Sequence, residues 1–270
     1  MSTTEQITAP ILIISAKSFL NKYFAAEAAA RYKKPEESVE IVNDLNSSSI
    51  EASIKESAER GCKNMVMISS TEVYGCNEGE NITEEFEIDS IESTPNSYLK
   101  AEAIAKSNCD ALGLNLTIIR CAEIIGTGMD GQIMQLVKTI YRGTYHHITD
   151  ETARMSVVHA VDVARATFDM AGVAGTFNLT DGVDPTVRDL AEAIAYRLDH
   201  KRIFTLSVKK ARTIARVGDY FPFIGFDSKK LKARYRTLTF SSEKLRSQLS
   251  WQPNSVTEYL RTHAYNDQSL

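Results

Sequence analysis

The stretch Ile11-Leu12-Ile13-Ile14-Ser15-Ala16-Lys17-Ser18-Phe19-Leu20-Asn21 decides the fold. Four consecutive aliphatic residues read as a strand buried on both faces, and the Ala-rich run from Phe19 to about Tyr32 reads as the helix that follows it. The alternation continues along the chain. Residues 39–42 read as a strand and 50–60 as a helix stopped by Gly61. Residues 64–69 read as a buried strand, 98–112 as a helix stopped by Gly113, and 116–119 as a strand. Residues 176–179 add another strand, and Thr186-Val187-Arg188-Asp189 reads as a capping box opening a helix over 187–198. Strands alternating with helices in this way predict an α/β, doubly wound parallel sheet with helices on both faces.

The turn between the first strand and helix carries the chemistry. In a Rossmann-like sheet this is where G-x-x-G-x-x-G lets backbone amides approach a pyrophosphate at a helix N-terminus. Ser15, Ser18 and Asn21 stand at the three glycine positions, and each adds side-chain bulk where phosphates would lie against the backbone. Phe19 and Leu20 complete the candidate cofactor turn. Only one strand–helix unit fits between the first helix and the strand at 64–69, so the sheet is expected to be shortened by about one βα unit.

At 270 residues, with 43% hydrophobic and 24% charged residues, the composition is that of a soluble globular protein. A formal net charge of -4 argues against a nucleic-acid partner. The charge is uneven: residues 72–92 hold eight carboxylates and no Lys or Arg, whereas residues 201–236 hold eleven basic residues against Asp219 and Asp227. Cys62, Cys76, Cys109 and Cys121 form no C-x-x-C pair and read as reduced thiols of a cytoplasmic protein, with no metal site. Residues 1–10 lack the features of a signal peptide, and no apolar run is long enough to cross a bilayer. The expected division is a nucleotide-binding core at 1–125 plus about 157–180, with a smaller interleaved C-terminal substrate lobe at about 126–156 and 181–270.

Several segments resemble one family in the correct order. Met67-Ile68-Ser69-Ser70-Thr71-Glu72-Val73-Tyr74-Gly75 is similar to a strand end carrying a catalytic Ser or Thr, and the loop from Ile82-Thr83-Glu84-Glu85 through Pro95 leads to a tyrosine helix at Tyr98. LTIIRCAEIIGTG at 116–128 is similar to R-P-x-N-V-Y-G-P-G, and VVHAVDVA at 157–164 to F-V-H-V-D-D-V-A. Phe177-Asn178-Leu179-Thr180-Asp181-Gly182 and Leu249-Ser250-Trp251-Gln252-Pro253 fit the tail pattern. Together they resemble the extended short-chain dehydrogenase/reductases, in the NAD-dependent epimerase/dehydratase branch that acts on nucleotide sugars.

The resemblance implies NAD or NADP as cofactor, a nucleotide-sugar-like small molecule as ligand, and Ser70 and Tyr98 as catalytic residues. It also implies a lysine four residues after the tyrosine, whose charge lowers the phenol's pKa. That position is Glu102. Lys100 is the alternative, and it would move the tyrosine position to Asn96. Glu123 stands at the Asn of R-P-x-N, and Arg154 sits one position before the expected arginine, so both are candidate substrate contacts. His159 reads as a structural residue. The unit at 39–60 resembles the one just before the serine strand, so the ribose-reading strand is expected to be the one deleted, with Asp44 a turn former or a substitute ribose ligand. The family often dimerises through two helices, here 50–60 and 98–112, so a homodimer is expected. Two functions are compatible with these residues. One is a protein degenerate in cofactor binding and catalysis that acts by binding, and the other an active NAD(P)-dependent nucleotide-sugar epimerase or oxidoreductase.

Overall fold

The computed structural model describes residues 11–88, 96–199 and 202–262. The readings placed on residues 1–10, on Pro95 and on Lys201 lie outside these residues. Five strands form one parallel sheet: β1 (Ile11–Ser15), β2 (Val39–Val42), β3 (Asn64–Ser70), β4 (Asn115–Cys121) and β5 (Gly175–Leu179), in the order β2-β1-β3-β4-β5. The helices of seven residues or more are α1 (Asn21–Arg31), α2 (Ser47–Glu59), α3 (Ser97–Leu112), α4 (Gln132–Tyr141), α5 (Ala160–Asp169), α6 (Val187–Arg197), α7 (Val208–Tyr220) and α8 (Val256–Thr262).

Both faces of the sheet are covered, which is why β1 is an uninterrupted apolar run. Ile11 and Ile13 pack with Phe24 and Ala28 of α1 and with Val163 and Phe168 of α5. Leu12 and Ile14 face the other way, against Ile50 and Ile54 of α2 and Ala101 and Ala105 of α3. Gly113 ends α3 in the left-handed region at φ +66°, and the box of Thr186 and Asp189 opens α6 as its residues foretold.

The strand order corrects one expectation. In the familiar order 3-2-1-4-5-6, the strand beside the first one carries the ribose-reading residue. Here β2 pairs directly with β1, Ile11 lying opposite Val39. The strand beside β1 is therefore retained, and among the described residues it is the outer neighbour of β2 that is absent. Asp44 follows the end of β2 and accepts a hydrogen bond from the Asn46 amide at 2.8 Å, forming a turn. Asn46 in turn caps α2 through the Ser48 amide.

Ser70 lies opposite Cys121, and Cys121 opposite Leu179, so β3, β4 and β5 finish level. Over these ends three short parallel pairs fasten later segments: Glu123–Ile125 with Val157–His159, His147–Ile148 with Thr205–Leu206, and Gly79–Ile82 with Leu238–Phe240. A second apolar cluster joins Ile133 and Val137 of α4, Leu190 and Ile194 of α6, and Val256 and Leu260 of α8.

A buried polar chain locks α3 to the sheet. Glu102 accepts a hydrogen bond from Ser69 Oγ at 2.5 Å and two from Arg120, at 3.1 Å from Nε and 2.7 Å from Nη2. Both charged side chains are less than a tenth exposed. The Arg120 guanidinium lies 4.9 Å from the centre of the Tyr74 ring, and the Tyr74 hydroxyl donates to Asn178 Oδ1 at 2.7 Å. Removing one member of a buried pair leaves the other charge stranded, which costs about 3–5 kcal/mol. Glu102→Lys, which sets a second cation beside Arg120, is expected to lose at least that much stability in denaturant unfolding, and more than Glu102→Gln loses.

Candidate functional site

A cavity of about 440 Å³ opens at the C-terminal ends of β3 and β4, with Ser70, Tyr98, Cys121 and Glu123 in its walls. Crevices beyond the carboxyl ends of parallel strands are the usual ligand sites of such sheets. Ser70 ends β3 and accepts a hydrogen bond from the Glu72 amide at 3.2 Å. Tyr98 lies in the first turn of α3, which Asn96 starts by accepting the amides of Tyr98 and Leu99. The structure thus brings the two candidate catalytic hydroxyls into one cavity.

No lysine of α3 joins them. Glu102 points into the ion pair with Arg120 and does not line the cavity. Lys100 is exposed and also absent from the cavity wall, and Asn96 caps α3. Lys17, from the turn after β1, is among the cations that do line the cavity. Burial pushes the Tyr98 phenol above its ordinary value, with the Lys17 ammonium pulling against it and the Glu72 carboxylate adding to it. The net shift is upward, so the phenol is a proton donor at neutral pH. Lys17 Nζ is 2.9 Å from Asp130 Oδ1, and both residues line the cavity.

The turn itself is filled with protein. Ser15 is wholly buried and its Oγ accepts the Lys17 amide at 3.2 Å. The Leu20 amide donates to the Lys17 carbonyl and the Asn21 amide to the Ser18 carbonyl, closing a 3-10 turn over Ser18–Leu20. Leu20 is a core residue, Ser18 faces solvent, and Asn21 is half-buried at the start of α1. None of these four lines the cavity, whereas Phe19 does. Gly126 lets the loop after β4 lie close against α1 and α5, because a Cβ there would meet Tyr23 Oη and Ala160 Cβ at 2.7 Å. Tyr23 Oη accepts the Thr127 amide at 2.7 Å.

Glu123 occupies a second anion-binding place. Its Oε1 accepts the amides of Gln132 at 3.0 Å and Ile133 at 3.4 Å, so it caps α4 from a distant strand. Gly131, at φ +92°, makes room, because a Cβ there would lie 2.7 Å from that oxygen. Arg154 also lines the cavity, its Nη2 donating to the Val183 carbonyl at 3.2 Å, as do Lys229 and Arg236, the latter 3.5 Å from Glu78. His159 is buried, its ring 4.2 Å from that of Tyr259.

Lys17 and Arg120 were not singled out in the sequence. Arg120 carried a signal: a cation inside the apolar run Leu116–Cys121 must be paired if buried. Lys17 carried none, because nothing local says which way its side chain runs.

Burial raises the Glu123 carboxyl, with the Ile133 and Gln132 amides and Lys17 opposing it incompletely. The folded state thus holds that proton more tightly than the unfolded chain does. Ionisation of Glu123 therefore costs stability, a cost absent below the unfolded-state pKa and complete once pH has climbed through the raised native value. Glu123→Gln, which keeps an acceptor for the cap, is expected to gain on the parent in unfolding midpoint as pH rises from 4 to 8 and to match it at the acid end.

Comparison with known proteins places this arrangement. The backbone superposes on UDP-glucose 4-epimerase from Thermotoga maritima with UDP-glucose at a TM-score of 0.62 and 14% identity, covering 93% of this chain and 96% of that one. RMD from Pseudomonas aeruginosa complexed with NADPH gives 0.60 at 17% identity, with 94% and 97% covered. The dTDP-glucose 4,6-dehydratase of Bacillus anthracis in complex with NAD gives 0.61 at 16% identity, with 94% of each chain covered. At such identities the shared property is the fold. Among curated sequences, the uncharacterized protein y4nG of Sinorhizobium fredii is 27% identical over 144 residues, which are 52% of this chain and 36% of that protein's length. The family model described as NAD dependent epimerase/dehydratase matches residues 24–176. With more than half of its length so matched, and with the parallel sheet and crevice to go with it, this chain belongs to the NAD-dependent epimerase/dehydratase family.

Proposed function

We propose that this protein keeps the family's fold and ligand cavity but has given up pyridine-nucleotide catalysis, and acts by binding a nucleotide-sugar-like anion. One observation carries this reading: Glu102, at the helix position of the family's lysine, is buried in an ion pair with Arg120. The turn agrees with it. A pyrophosphate over the start of α1 would have to displace the Lys17–Asp130 bridge and the Tyr23–Thr127 contact, and the amides of Lys17, Leu20 and Asn21 already have acceptors. The residues of this turn therefore do not fit a dinucleotide held in the family's manner. The cavity still offers Lys17, Arg154, Lys229 and Arg236 to a diphosphate. In this reading residues 1–125 with about 157–180 form the core, and about 126–156 with 181–270 the ligand-facing lobe.

A second reading rests on Lys17. Its ammonium acts on the Tyr98 phenol from a turn rather than from α3, which is what an active epimerase or oxidoreductase with a relocated cation would need. Calorimetric titration separates the two. The binding reading expects heat with UDP-glucose and none with NAD(H) or NADP(H) up to millimolar concentration. Micromolar dinucleotide affinity, with turnover lost in Lys17→Ala, would establish the enzyme reading instead.

We also propose that two copies pair through the outer faces of α2 and α3, which pack side by side on one face of the sheet. Sedimentation is expected to give a dimer at micromolar concentration, and a monomer at all concentrations would rule the pairing out. No described helix is long and apolar enough to cross a membrane. A cytoplasmic location is part of this proposal.

A further inference from the structure

The basic run noted in the sequence folds into a hairpin that the cavity accounts for only in part. Ser207 caps α7, whose inner face is small: Ala211 and Ala215 are fully buried, and Gly218 is buried beside them. That smallness permits a close return of the chain. A Cβ on Gly218 would lie 1.8 Å from the Phe226 carbonyl oxygen, and Gly225 turns the backbone at φ +72°. The Asp219 carboxylate accepts the Ser228 amide at 2.9 Å and its hydroxyl at 2.6 Å, while Asp227 caps the short helix Ser228–Ala233 through the Lys230 amide. Both carboxylates of the segment are thus spent on holding the hairpin together.

What the hairpin presents is apolar at the tip and basic along the sides. Tyr220 is 82% exposed and Phe223 86%, with Phe221, Val217 and Ile214 also exposed. Lys209, Lys210, Arg212 and Arg216 on α7, and Lys229 and Lys232 on the return helix, are exposed, and no ion pair is formed by them among the described residues. Large aromatic side chains held in water by a fixed turn mark a contact surface. Aromatic and aliphatic groups beside unpaired lysines and arginines complement an interface that is apolar inside and anionic outside. A phosphate backbone would satisfy the cations and leave Ile214 and Val217 without a use.

We propose that the hairpin of α7 and Ser228–Ala233 is a peripheral docking site for anionic lipid bilayers, with Tyr220, Phe221 and Phe223 entering the headgroup layer and the flanking lysines and arginines resting on lipid phosphates. Lys229 and Ala233 of the same hairpin line the cavity, so docking brings the cavity wall to the bilayer surface.

The test is co-sedimentation of the full chain with phosphatidylcholine vesicles, with and without phosphatidylglycerol. Binding is expected to the anionic vesicles, to weaken with added salt, and to be nearly absent on the neutral ones. Tyr220→Ala combined with Phe223→Ala is expected to lower partitioning on the order of tenfold with an unchanged unfolding midpoint, and Lys209→Glu with Lys210→Glu to lower it similarly. Failure of the parent chain to bind anionic vesicles overturns the proposal. So does undiminished binding by the aromatic double variant, or a parent dimer that this variant dissociates, which would make the tip a self-interface.

Discussion

The ion pair of Glu102 with Arg120 is the constraint on which the candidate site depends. Neither charge is tolerable alone inside an α/β core, where desolvation of an unpaired ion costs several kcal/mol. Together they form a bidentate, nearly neutral unit that Ser69 and the Tyr74 ring complete. The pair joins α3 to β3 and β4, the elements that place Tyr98 and Ser70. Glu102 is thus turned into a fastening within the core rather than a wall of the cavity.

The same logic recurs where an anion would be expected to bind. The N-terminus of α4, with its unpaired amides, receives the carboxylate of Glu123. At the start of α1, the turn folds its amides onto Ser15 Oγ and onto its own carbonyls, and Lys17 reaches over to Asp130. Anion-accepting places of the scaffold are filled by this chain's own groups. The cations of the cavity, by contrast, come largely from Arg154, Lys229 and Arg236, in late segments of the chain.

The position of Lys17 shows why the two functional readings stay close. A charge supplied from a turn reaches the Tyr98 phenol, although burial prevails and the phenol remains protonated. Such a pair suits hydrogen-bond donation to a bound oxygen better than exchange of a proton with it, because transfer needs a phenol poised near the working pH.

The sequence by itself determined the layers and the direction of the sheet. Apolar runs at 11–14, 64–69 and 116–119, helical stretches ending at Gly61 and Gly113, and the box at Thr186 are local signals, and each reports burial or capping within a few residues. Ser70, Tyr98 and Glu123 were singled out in a different way, by the resemblance of their segments to a family's motifs in the correct order. Only the tertiary structure decided that β2 lies beside β1, that Glu102 meets Arg120, and that Lys17 rather than a lysine of α3 lines the cavity with Tyr98. These are choices of partner between residues distant along the chain, and they are set by how the layers pack together and by the need of every buried charge for its opposite. No local periodicity encodes them.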